Sequence, residues 1–100
     1  MEEKIKKAID NEIEILKDSI ILCDSTIDIM KKKKEVLDDY NTKIAGIMEK
    51  LKTDEVRQEL AVITQENYKN QIELEINLAQ LEKEHEIMKS MLGILENGRN

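Results

Sequence analysis

IDNEIEILKDSIILCDSTIDIMKKKKEVLDDYNTKIAGIMEKL, residues 9–51, is the stretch on which the fold turns. Ile9, Leu16, Cys23, Met30, Leu37, Ile44 and Leu51 stand one heptad apart in it. A repeat of seven holds one stripe on one side of an α-helix, the spacing with which one helix packs along another. A second ladder, Ile13, Ile20, Ile27, Lys34, Asn41 and Met48, falls between the first, so the two alternate in steps of four and three. It turns polar in its middle. Lys34 is long enough to extend its ammonium to water, while Asn41, beside Asp38, Asp39 and Thr42, reads either as a kink or as a polar layer that fixes register. Gly46 is a weak point, costing about 1 kcal/mol relative to alanine inside a helix.

Working outward, Lys50, Lys52, Thr53, Asp54 and Glu55 form the best boundary. Cations suit the end of one helix, and a threonine cap followed by two acids suits the start of the next. The expected organisation is one helical domain over residues 1–100, with helix 1 at about 3–52, a turn near 53 and helix 2 at about 54–96. No Gly or Pro enforces that turn, so a single continuous rod is the alternative. Beyond it, Leu60, Ile63, Asn67, Asn70, Leu74, Leu78, Leu81, His85, Met88, Leu92 and Leu95 follow steps of three and four, with one extra four-residue step between Leu74 and Leu78. Ile72, Ile76 and Ala79 lie off that stripe and widen the apolar surface, as in a helix with more than one neighbour. The ending Glu96-Asn97-Gly98-Arg99-Asn100 has the composition of a helix stop.

The expected fold is all-α: a long antiparallel helical hairpin, coiled-coil-like, pairing into a bundle, with a third short helix if the chain breaks near Asn41. Each helix would extend about 65 to 70 Å. Charged residues at 38%, apolar ones at 40%, two tyrosines and no Phe or Trp fit a long-helix protein better than a compact globule. A two-helix hairpin buries one side of each helix, so apolar surface should remain for self-association or a partner.

Sixteen basic against 22 acidic residues give a net charge of −6, which opposes docking on nucleic acid or anionic lipid. The run Lys31–Lys34 is balanced by Glu35, Asp38 and Asp39 and reads as a solvated helix face. No segment approaches the roughly 20 apolar residues of a membrane span. A single cysteine and a polar first twenty residues point to a reducing, cytoplasmic home.

Candidate chemistry is sparse. Glu82 and His85 make a Glu-x-x-His step of the kind found in di-iron carboxylate bundles, but the facing carboxylate it needs has only Glu49 to supply it, badly placed beside the turn. The plainer reading is a packing histidine, so no metal, cofactor or enzymatic activity is expected. Cys23, on the strict ladder, reads as a small buried hydrophobe far along the chain from the only histidine. Asn67, Tyr68 and Asn70 interrupt the second stripe, as a register-fixing layer or as a recognition patch. Met30, Met48, Met88 and Met91 suit an adaptable groove or ordinary core filling.

Two stretches resemble the FlgN-type flagellar export chaperones, small helical proteins that hold junction subunits before secretion. Thr26-Ile27-Asp28-Ile29-Met30-Lys31-Lys32-Lys33-Lys34-Glu35-Val36-Leu37 is similar to that family's first-half pattern. Asn67-x-x-Asn70-x-Ile72, followed by Leu78 and Leu81, is similar to its second-half pattern. The resemblance implies that a stripe comprising Asn67, Tyr68, Asn70, Leu74, Leu78, Leu81, Met88, Leu92 and Leu95 receives an amphipathic client helix. The expected partner is thus a protein client or a second copy in a homodimer, with a purely structural coiled coil, a phage-type inhibitor or adaptor and a ferritin-like metal protein as the alternatives.

Overall fold

The computed structural model describes residues 2–99, and these form two α-helices: α1, Glu2–Lys50, and α2, Asp54–Arg99. The fold is an all-α helical hairpin. Local chemistry marks its ends. Glu2 and Glu3 lie in the first turn of α1, Asp54 and Glu55 in the first turn of α2, and Lys50 in the last turn of α1, each charge opposing the local end of the helix dipole. At the turn, the Leu51 amide reaches back to the Met48 carbonyl at 3.4 Å, tightening the end of α1, and the Arg57 amide donates to the Thr53 carbonyl at 3.2 Å to open α2.

α1 runs through Asn41 and Gly46 without a break, so no third helix forms there. Asn41 stays helical because its amide reaches across to α2 instead of competing for its own backbone. α2 likewise continues past the expected stop at Asn97 and Gly98. Among the described residues no glycine adopts positive φ, so Gly98 supplies no left-handed cap. Asn100 lies outside the described residues.

Two compact units divide the chain. The terminal unit joins the chain up to Asp28 with that from Ala79 onward, and the turn unit is Ile29–Leu78. In the terminal unit Ile13, Leu16, Cys23 and Ile27 are buried, Ile9 and Ile20 half-buried, and Leu81, His85, Met88, Leu92 and Leu95 form the half-buried stripe of α2. The turn unit is wetter: Ile44 and Asn41 are buried, and Lys34, Thr64, Asn67 and Gln71 share the interface with Met30, Leu37, Met48, Leu60 and Leu74. Both ladders read in α1 are therefore its inward face.

The inward stripe of α2 differs from the one expected. It is Leu60, Thr64, Asn67, Gln71, Leu74, Leu78, Leu81, His85, Met88, Leu92 and Leu95, in unbroken steps of four and three, whereas Ile63 and Asn70 are exposed. The four-residue step between Leu74 and Leu78 is one of the regular fours. An antiparallel partner of an uninterrupted heptad helix must hold the same period, and moving inward to Ile63 and Asn70 would turn the stripe by about 100° for two turns. Thr64 is tolerated inward because its hydroxyl returns to the Leu60 carbonyl at 2.8 Å. Gln71 is tolerated because it makes two cross-helix bonds.

Candidate functional site

One residue's step turns an α-helix by about 100°, so the positions just before and just after each inward residue define two flanks. On the following side lie charges. Lys17 meets Glu96 at 3.8 Å in the terminal unit, and Lys34, itself inward, meets Glu75 at 3.2 Å in the turn unit. Asp38 accepts from Gln71 Nε2, and Gln71 Oε1 accepts from Asn41 Nδ2 at 3.3 Å. An open pocket of about 390 Å³, lined by Asp38, Asn41, Thr42, Ala45, Tyr68 and Gln71, sits on this side of the turn unit.

The preceding side is greasy. Ile15, Leu22, Ile29 and Val36 each come immediately before an inward residue, stand one heptad apart, and are 58%, 70%, 55% and 68% exposed. In the terminal unit Ile5 joins them on α1, while α2 adds Ile87, Met91 and Ile94, all exposed. The antiparallel arrangement brings the preceding sides of the two helices together: a groove there is lined by Glu2, Ile5, Lys6, Ile9 and Gly98. In the turn unit the same flank holds an almost wholly apolar groove of about 500 Å³, formed by Ile29, Lys32, Lys33, Val36, Leu37 and Leu74. Lys32 and Lys33 are exposed and line it, as expected of lysines that lay their methylene stems along apolar surface. Tyr40, Ile47 and Ile63 are exposed at preceding positions of this unit too.

The residues expected to meet a partner are distributed differently. Asn67, Leu74, Leu78, Leu81, Met88, Leu92 and Leu95 are half-buried on the inward stripe. Tyr68 is exposed on the charged flank, in the 390 Å³ pocket. Asn70 is exposed at a preceding position, on the apolar flank. The strip Ile15-Leu22-Ile29-Val36 went unread in the sequence, although its strict seven-residue spacing was visible beside the stronger ladder.

Among the described residues, the buried side-chain atoms Asn41 Oδ1, Asn67 Nδ2 and His85 Nε2 lack a hydrogen-bond partner. His85 is 12% exposed, and its Nε2 lies 3.8 Å from Asp24 Oδ1, too long for a hydrogen bond and an ion pair only when the ring is protonated. Glu82 is exposed, and among the described residues no group of three His, Cys, Asp or Glu side chains is placed to hold a metal ion. Cys23 is a buried free thiol whose Sγ donates to the Leu81 carbonyl at 3.5 Å. Among the described residues no helix is long and apolar enough to cross a membrane.

Comparison of the chain with protein-family models, with curated proteins and with solved structures finds no match.

Proposed function

We propose that this chain is a non-enzymatic helical binding module, acting in the cytoplasm, whose apolar flank receives a helix from a protein partner. One observation carries the reading: the surplus of accessible surface. The chain exposes 8052 Å². A compact monomer of its 11.6 kDa mass exposes about 5,800 Å². The difference, about 2,200 Å², is more than the roughly 800 Å² that each partner of a standard specific interface removes from water. Part of that surface is also patterned: Ile15, Leu22, Ile29 and Val36 recur at the interval another helix requires, while Ile21, Val62, Ile72 and Ile76 are exposed elsewhere.

The −6 net charge argues against nucleic acid as the occupant, and an amphipathic protein helix is the remaining macromolecular complement to a heptad strip. Shielding of a client segment, as the resemblance to flagellar export chaperones implies, is one form such a module takes. The test is sedimentation velocity with a hydrophobic dye on the intact protein. The expected result is an associated species that excludes dye, or an open monomer whose dye uptake is abolished by an added amphipathic helix. A monomer that neither takes up dye nor associates at any concentration would refute the proposal.

A further inference from the structure

We infer that the occupant of the apolar flank is a second copy of this chain, with α1 of each copy lying antiparallel against α2 of the other. The inference rests on the binding-module reading and names its partner. Cross-helix neighbours first set the level of residues along each unit. Lys34 pairs with Glu75, Asp24 faces His85, and Asp38 bonds Gln71, and in each case the two numbers total 109, within the range of 104 to 113 that Cys23–Leu81, Asn41–Gln71 and Lys17–Glu96 span.

The outer positions of the preceding flank follow the same rule. In the turn unit, Lys43 stands level with Glu66 and Lys50 with Glu59, all four exposed. In the terminal unit, Ile15 stands level with Ile94 and Leu22 with Ile87, again exposed. In these four pairs cation matches anion and aliphatic matches aliphatic, while between them Ile29 stands level with Gln80 and Val36 with Glu73. Two hairpins related by a twofold axis parallel to their helices bring each of these α1 residues against its level mate on the other copy, so that each unit meets its own counterpart. Lys43 already holds Asp39 at 3.1 Å on its own helix, and its ammonium has donors left for Glu66.

Helix geometry agrees. The inward and preceding faces differ by one residue, about 100°, close to the right angle between the two neighbours of a helix in a square four-helix bundle. A twofold perpendicular to the helices would instead set α2 against α2, and the complementarity between Lys43 or Lys50 and the glutamates of α2 would go unused.

The test uses the full chain at low ionic strength, with dimerisation read by sedimentation equilibrium and dye uptake read alongside. Lys43→Glu with Lys50→Glu, and separately Glu59→Lys with Glu66→Lys, should each weaken dimerisation by at least about tenfold by setting like charges together. Mixing the two variants, or combining all four substitutions in one chain, should restore it. The fourfold chain keeps the test sharp even if one double variant folds poorly. A wild-type dimer indifferent to both charge reversals, or one that mixing does not rescue, overturns the pairing. A wild-type monomer that takes up dye overturns self-association while leaving the module reading standing, whereas a monomer that excludes dye overturns both.

Discussion

Replacing Asn41 and Gln71 by leucine, singly and together, probes how the turn unit holds its register. Asn41 is 6% exposed, makes one bond of 3.3 Å to Gln71 Oε1 and leaves its own Oδ1 without a partner. An unsatisfied buried acceptor costs about 1–3 kcal/mol, while the single bond contributes about 1 kcal/mol. Asn41→Leu removes both, and the freed Gln71 side chain, only half-buried, is able to turn to water. The net effect should run from neutral to about 2 kcal/mol stabilising. Gln71→Leu does the reverse: Asn41 is left with both ends of its amide buried and unpaired, at a cost of about 1–3 kcal/mol. With both leucines present no buried amide of this pair remains, and the double variant should be the most stable of the four, exceeding the sum of the single effects by about 1–3 kcal/mol. Urea unfolding followed by circular dichroism measures the cycle, at one fixed protein concentration because self-association would make the midpoint concentration-dependent. Additivity within about 0.5 kcal/mol would refute the claim that these two side chains act as one unit.

Other expectations follow from single sites. His85→Leu replaces a ring whose Nε2 is buried without a partner, and should raise the melting temperature by about 4–8 °C, which corresponds to roughly 1 kcal/mol in a domain of this size; a fall would show that the contact with Asp24 matters more than the geometry implies. Gly46→Ala should stabilise by about 1 kcal/mol, since an added Cβ meets nothing within 4 Å in mid-helix, and thermal denaturation reads it directly. Cys23 should react with a thiol reagent only as fast as the terminal unit opens, and labelling at the rate of an unstructured peptide would contradict its burial. Ile13→Ala, at a side chain 3% exposed, should cost about 2–5 kcal/mol in urea unfolding, against well under 1 kcal/mol for Lys32→Ala on the surface.

The two helices differ in how openly their residues announce their faces. In α1 the inward positions are apolar from Ile9 to Met30, and the polar intruders sit between apolar members of the other ladder, Lys34 between Met30 and Leu37 and Asn41 between Leu37 and Ile44, so the period survives them. In α2 the polar residues are inward, at Thr64, Asn67, Gln71 and His85, while Ile63, Ile72 and Ile76 are outside. Following apolar residues therefore shifted the reading by one position at Ile63 and Asn70. What puts Thr64 and Gln71 inward is tertiary: the period of α1 and the bonds that Gln71 makes to Asp38 and Asn41. The heptad strip of the apolar flank was present in the sequence all along, but Ile15 and Leu22 directly precede Leu16 and Cys23 of the dominant ladder and merged with it. Residues chosen from the inward stripe as partner contacts are mostly spent on the hairpin, and the outer surface falls to their immediate neighbours.

The mass of the intact wild-type chain in solution, by sedimentation equilibrium over a wide concentration series, tests the central claim most directly. Pairing through the apolar flank predicts a single species at twice the 11.6 kDa chain mass, dissociating to monomer when Leu22→Glu places a charge in the strip. A wild-type chain that stays at 11.6 kDa throughout, or a dimer that Leu22→Glu leaves intact, would contradict it.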